Sequence, residues 1–148
     1  MRDAEDPDNV QSLYGLAMLA MNTDESTRAL EFFDRALTAN PEFLEARRYR
    51  AILLARLGRL DQASQDINRC LEKEPSVGAT LYAAACVASL ATDQLADDAQ
   101  VSQQALDLLG RAVAHGASLE KAQTDPDLAG LRKHPKFQEL IQSANQKP

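Results

Sequence analysis

The chain has 148 residues, of which 45% are apolar and 26% are charged, and its formal net charge is −6. A chain of this length buries enough apolar surface to fold as about one domain. The negative charge argues against general affinity for nucleic acid or for anionic membranes, because both require clustered positive charge.

Prolines recur at a spacing of 34 residues, at Pro7, Pro41 and Pro75. At the same spacing the chain aligns with itself, with Ala29 matching Ala63. A fixed period of this length is the signature of a repeat architecture. The predicted units are residues 8–41, 42–75 and 76–117, with an insertion near 92–104 in the third unit.

Each unit contains two helical segments. In ESTRALEFFDRALTANP, apolar residues recur at intervals of three and four, as they do on one face of a helix. Gly58 and the Asn40-Pro41 and Glu74-Pro75 pairs supply the signals that end one helix and begin the next. We therefore predict one helical hairpin for each unit. The predicted core positions are Leu16, Ala17, Ala29, Phe33, Ala36, Leu54, Ala63, Ile67, Ala85, Ala105, Leu109 and Ala112.

The last segment, residues 118–148, differs from the repeats. It predicts a short helix from about Pro126 to Lys133, a break at His134-Pro135, and an amphipathic helix from about Pro135 to Ala144 that carries Phe137. Because the terminal face of a helical repeat must be covered by something more polar, we expect this helix to cap the third hairpin.

Candidate catalytic and metal-binding residues are few. His115 and His134 lie in separate elements, Cys70 and Cys86 have no metal-ligand spacing, and no serine has the sequence context of a nucleophile. We therefore expect no enzyme activity, no cofactor and no metal. The sequence also lacks a run of about 18 apolar residues and an apolar signal segment, so we expect a cytoplasmic protein that does not contact a membrane.

These residues resemble the tetratricopeptide repeat (TPR) family, whose units end in a small residue, a large apolar residue, a second small residue and a proline. The matching residues are Ala29, Phe33, Ala36 and Pro41 in the first unit and Ala63, Ile67, Cys70 and Pro75 in the second. The resemblance implies an all-α fold, a TPR-like α-solenoid of three helical hairpins with a C-terminal capping helix. From about Leu81 to Ile141 the chain also resembles the closing segment of bacterial TPR modules, some of which are attached to serine/threonine kinases, although it has no kinase motif.

In this family the first helix of each unit lines a concave groove, which implies a non-enzymatic module that binds a protein or peptide. The implied groove residues are Tyr14, Met18, Met21, Arg48, Tyr49, Ile52, Arg56, Tyr82, Cys86 and Ser89. Tyrosine and arginine are enriched at binding hot spots. Two alternatives stay open: a self-association module that forms homodimers, and a regulatory segment of a larger signalling protein.

The arginines near Tyr49 fall into two groups. We expect Arg47 and Arg50 to be neutralised by acidic residues of adjoining helices. Arg48 and Arg56 lie two turns apart on the groove face, where they have no evident structural partner and could select a ligand with a carboxylate or phosphate group. The alternative is that both bond to carboxylates within the chain, such as Glu45 or those of adjoining units.

Overall fold

The structure, a computed structural model, describes residues 9–95 and 99–145. Pro7, residue 8 at the start of the first predicted unit, and residues 96–98 of the predicted insertion lie outside these ranges. The elements in chain order are α1 (Val10–Asn22), α2 (Ser26–Ala39), α3 (Leu44–Arg56), α4 (Leu60–Lys73), α5 (Gly78–Gln94), α6 (Ala99–Ala114), α7 (Leu119–Ala122), a 3-10 helix (Pro126–Leu131) and α8 (Pro135–Asn145). Within the described ranges there is no β-strand.

Helices pack in consecutive pairs, α1 with α2, α3 with α4, and α5 with α6. Each hairpin then stacks on the next, mainly through contacts of α3 with α2 and of α5 with α3 and α4. The predicted all-α solenoid of three hairpins with a C-terminal capping helix is confirmed. The capping helix begins at Pro135, as predicted, and ends at Asn145.

Small residues allow this close stacking. Ala17, Ala29, Ala51 and Ala63 have no exposed surface, and Phe33 fills the space between the first helices. The predicted core positions are buried, with one exception. Leu16 was expected in the core but is 43% exposed, because it lies on the side of α1 that faces away from the following hairpins.

Ala63 tests the packing inside the second hairpin. Its side chain is fully buried in the main apolar cluster, beside the equally buried Ala51. Replacing Ala63 by leucine should lower the free energy of unfolding by about 1 to 3 kcal/mol, because added methylene groups force neighbouring helices apart. Chemical denaturation measures this loss, and Ala39→Leu, at an exposed end of α2, is the control that should stay close to wild type.

The second hairpin contains a buried charge cluster. Asp66, 4% exposed on α4, accepts from Arg47 Nη1 at 3.0 Å and from Arg50 Nε at 2.7 Å. Arg50 also donates to Asp34 on α2 at 3.0 Å. The prediction that acidic residues of adjoining helices neutralise Arg47 and Arg50 is therefore confirmed.

The third hairpin is longer than the others. The helix α5 has 17 residues and α6 has 16, against 13 and 14 in the first hairpin. The predicted insertion near 92–104 is thus accompanied by a lengthening of both helices, α5 as well as α6. Gln94 in this extension donates to the Ala55 carbonyl oxygen at 2.8 Å, which adds a second donor to an acceptor at the end of α3 that already receives the Gly58 N–H.

The tail packs on the third hairpin in two places. The 3-10 helix, predicted as a helix to Lys133, ends at Leu131 and packs against α5, while α8 packs against α6. Phe137 is 1% exposed and belongs to the main apolar cluster. None of the helices in the described ranges has both the length and the apolar character needed to cross a bilayer.

Candidate binding cleft

A cleft of about 460 Å³ lies along the first helices of the three hairpins. Its second wall is formed by the segment that follows α6, from His115 to Asp127. The helices contribute the larger apolar side chains together with two arginines, and the tail contributes a lysine and two aspartates. The predicted groove residues that line the cleft are Met18, Met21, Arg48, Tyr49, Ile52, Arg56, Tyr82 and Cys86.

Tyr14 does not line the cleft. Its ring centroid lies 5.0 Å from that of Phe43 and 6.3 Å from that of Tyr49. Its hydroxyl donates to Glu45 at 2.8 Å, and burial together with this hydrogen bond raises the pKa of Tyr14 above its ordinary value. Tyr14 therefore joins the first hairpin to the second.

Ser89 was predicted to face the groove, and this is wrong. Its side chain is fully buried, and its hydroxyl has no hydrogen-bond partner among the described residues. The physical reason is that α5 is covered on more sides than α1 or α3, by the second hairpin, by α6 and by the 3-10 helix. Ser89 is therefore enclosed, although α5 is the first helix of its hairpin.

The tail is fixed to the cleft by two aspartates. Tyr82 Oη donates to Asp125 Oδ2 at 2.8 Å, and the other oxygen of Asp125 accepts from the Asp127 backbone N–H at 3.0 Å. Arg56 donates to both oxygens of Asp127, from Nε at 2.9 Å and from Nη2 at 2.8 Å. These hydrogen bonds raise the pKa of Arg56. The prediction that Arg56 has no structural partner is therefore wrong.

Arg48 also has partners. Its Nη1 donates to Glu74 at 3.1 Å and to the Thr80 hydroxyl at 3.2 Å, and Thr80 donates in turn to Glu74 at 2.8 Å. This cluster joins α3 to the loop after α4 and to the first turn of α5. The alternative, in which both arginines bond to carboxylates of the chain, is the one that the structure supports, although the partners are not Glu45.

The Arg56–Asp127 pair offers a measurable coupling. Asp127 has a 7% exposed side chain, so Arg56→Gln should leave a nearly buried carboxylate without its cation and lower the free energy of unfolding by about 1 to 3 kcal/mol. In the double variant with Asp127→Asn the loss should be smaller than the sum of the two single losses, and denaturation of all four proteins measures the difference. Strictly additive losses would show that the pair contributes no coupling.

The backbone after α6 comes very close to α5. A side chain at Gly78, the first residue of α5, would clash with the carbonyl oxygen of His115. Gly116 has a φ of 98°, the left-handed conformation that glycine adopts readily at a helix end. The two glycines therefore let the tail turn back across the cleft.

Lys121 differs from the arginines. Its ammonium lies 5.0 Å from the centre of the Tyr82 ring, a cation–π arrangement, and it forms no ion pair with any residue in the described ranges. Burial is the main cause that raises the pKa of Tyr82, so its hydroxyl stays protonated and donates to Asp125. Lys121 is thus a cation available to a ligand at the cleft.

Cys86, Asp125 and Asp127 come together at one end of the cleft, with ligand atoms within 4.8 Å of one another. All four carboxylate oxygens already accept hydrogen bonds, those of Asp127 from a guanidinium. A cation here would have to displace Arg56. The contacts therefore favour an ion-pair network, which fixes the tail, rather than a metal site.

Both cysteines should react slowly in the folded protein. Burial raises the pKa of the Cys86 thiol, and burial is the main cause that raises the pKa of Cys70 to about 11, so both remain thiols at neutral pH. A colorimetric thiol assay should show slow modification in buffer and fast modification in denaturant. Ionisation of Cys70 should also destabilise the fold as the pH rises from its ordinary pKa of 9.0 towards 11, since the unfolded chain loses the proton first.

Residues 115–127 are the part of the cleft that the sequence did not predict. Asp125 before Pro126 is a signal for a helix start, and Asp125 does cap the 3-10 helix. Nothing in the spacing indicates that Asp127 meets Arg56, because 71 residues separate them.

Comparisons with known proteins agree with this architecture. A sequence profile of the tetratricopeptide repeat matches residues 16–109, which is more than half of the chain. A UDP-N-acetylglucosamine–peptide N-acetylglucosaminyltransferase of Giardia intestinalis (strain ATCC 50803 / WB clone C6) is 32% identical over 69 residues, a stretch that makes up 47% of this chain and 5% of that protein. The matched stretch of this chain thus corresponds to a small part of that enzyme.

Two solved structures share the fold. One is MamA 41-end from Desulfovibrio magneticus RS-1, with a TM-score of 0.63 and 16% identity over 97% of this chain and 80% of that one. The other, a MamA RS-1 ArsTM double mutant, has the same TM-score and identity over 96% of this chain and 80% of that one. With the repeat register, the three stacked hairpins and the profile match in agreement, the chain belongs to the tetratricopeptide repeat family.

Proposed function

We propose that this protein is a non-enzymatic binding module that takes up a short segment of another protein in the cleft. The observation that carries the proposal is the cleft itself, which is lined by eight of the ten residues implied to form the groove. A cavity of a few hundred Å³ that combines apolar side chains with directed polar groups is typical of ligand sites. Repeats of this family generally serve as scaffolds for protein–protein interaction.

The lining indicates what the segment should carry. Met18, Met21, Tyr49 and Ile52 form an apolar surface, on which methionine adapts to irregular side chains. The tail wall restricts access to one side of this surface, so a short segment fits better than a long helix. We therefore expect one or two apolar anchor residues in the ligand.

We further propose that the ligand carries an acidic or phosphorylated group beside these anchors. Arg48 and Arg56 are engaged with Glu74 and Asp127, so Lys121 is the cation that such a group would meet first. A charge-assisted hydrogen bond to an ammonium favours a carboxylate or phosphate over a neutral group.

Selection from a library of short random peptides tests the proposal with the full chain. Ala79 is exposed at the cleft, so Ala79→Trp should fill the cleft without disturbing the core, and binding of the selected peptides should weaken at least tenfold. Ala39→Trp, at an exposed alanine away from the cleft, is the matched control. Failure to enrich any peptide, or equal binding by both variants, would contradict the proposal.

Lys121→Gln tests the acidic group separately. Peptides that contain an acidic residue should bind about fivefold more weakly to this variant, since a hydrogen bond to a charged group is lost at a partly exposed site. Neutral peptides should be unaffected. Equal weakening of both classes of peptide would show that Lys121 supports the structure of the cleft wall. If neither class bound more weakly, Lys121 would take no part in ligand recognition.

A further inference from the structure

The outer face of α1 is apolar and is left exposed by the residues that the structure describes. Leu16 is 43% exposed and Leu19 is 61% exposed, and no large apolar side chain in the described ranges is more exposed than Leu19. Gly15 lies beside them, and a side chain added there would meet nothing within 4 Å. These three residues form the α1 outer face.

The repeat register shows that the position of Leu19 is buried in the other two units. Leu19 corresponds to Leu53 and Val87 at the spacing of 34 residues. Leu53 is 1% exposed and packs in a cluster with residues of the first hairpin, and Val87 is 5% exposed and packs with residues of the second. In both later units a preceding hairpin covers this position. At α1 none of the described residues does so.

The charge of α1 favours a second copy of the chain as the partner. The sequence VQSLYGLAMLAMN contains no acidic or basic residue, although 26% of the whole chain is charged. Two α1 helices can therefore meet without opposing like charges along the helices themselves. The other end of the solenoid is unsuitable, because α8 presents the exposed polar residues Lys136, Gln138 and Glu139.

Gly15 supplies an independent argument. Glycine inside a helix is less favourable than alanine, and the structure around Gly15 leaves room for a side chain. A missing side chain is useful where a second backbone must come close, as between two crossing helices. A dimer therefore explains why position 15 is a glycine, whereas the monomer does not.

We propose that two copies pair through the α1 outer face in an isologous, two-fold dimer. The same patch then serves on both copies, so the contact closes and does not extend into a filament. One helix pair buries less than the roughly 1,600 Å² of a standard interface, so the dimer should dissociate on dilution.

Sedimentation velocity of the full chain over a wide concentration range tests this pairing. The wild type should pass from monomer to dimer, and Leu19→Gln should raise the dissociation constant at least tenfold. Leu57→Gln, at a leucine that is 42% exposed after α3, is the control and should leave dimerisation unchanged. A monomer at every concentration, assembly beyond a dimer, or a dimer insensitive to Leu19→Gln would overturn the proposal.

Gly15→Ala separates pairing from folding. In the monomer this change should leave the melting temperature unchanged or raise it, because alanine is the better helix former and has room. In the dimer the added methyl group should hold the helices apart and raise the dissociation constant about fivefold. An unchanged dissociation constant in Gly15→Ala would overturn the close approach at Gly15.

Discussion

Replacing Phe137 by alanine should lower the free energy of unfolding by about 3 to 5 kcal/mol, the usual effect of deleting a buried aromatic side chain. Phe137 is 1% exposed and joins α8 to the main apolar cluster, with Leu140 and Ile141 packed beside it. Without the ring, α8 loses its deepest contact, and a cavity remains beneath it.

Chemical denaturation measures this effect, with Gln142→Ala on the exposed side of α8 as the control. Removal of residues 134–148 should be more damaging, because it exposes the apolar surface of the third hairpin, and the truncated chain should aggregate or melt earlier. Equal melting temperatures for the full and truncated chains would show that the tail does not cap the solenoid.

Replacing Asp66 by alanine should have an effect of similar size, about 3 to 5 kcal/mol, since removing one partner of a buried ion pair leaves uncompensated charge. Two guanidinium groups depend on this carboxylate, and the side chains of Arg47 and Arg50 are only 11% and 20% exposed. Loss of Asp66 therefore leaves both arginines between α3 and α4 without their shared acceptor.

Glu72→Ala is the matched control for Asp66, because Glu72 is an exposed acidic residue on the same helix. The free energy of unfolding of the Glu72→Ala variant should stay within about 0.5 kcal/mol of that of the wild type. A loss at Asp66 no greater than that at Glu72 would show that the cluster contributes nothing to stability.

The fold could be predicted because each hairpin is a local structure. The 34-residue spacing identifies the alanines that pack inside each hairpin, and the signals around Pro41, Gly58 and Pro75 determine where the helices end. Leu16 was the wrong core position because repeat reasoning treats every unit as if it had a neighbour on both sides, and among the described residues α1 is covered on one side only.

The cleft could be predicted only in part. The wall formed by α1, α3 and α5 follows from the register, which places Met18, Ile52 and Cys86 on one surface. The opposite wall depends on contacts between residues far apart in sequence, such as Arg56 with Asp127, and no local pattern indicates which carboxylate an arginine will meet. For this reason Arg48 and Arg56 were expected to be available to a ligand when both are engaged within the chain.

The tail wall changes what the repeat surface can do. In an open solenoid the concave surface would be accessible along its whole length, whereas here residues 115–127 close one side and leave a cavity of about 460 Å³. The same segment supplies Lys121, so the tail both narrows the cleft and contributes to the recognition that we propose.

Hydrogen exchange of the full chain, with and without a peptide selected from the library, tests the cleft as the binding site most directly. Backbone amides of residues 48–56, 78–86 and 115–127 should exchange more slowly when the peptide is bound, while those on the exposed sides of α4 and α6 should be unchanged. Protection confined to α4, α6 or the α1 outer face, with no change along the cleft, would contradict the account.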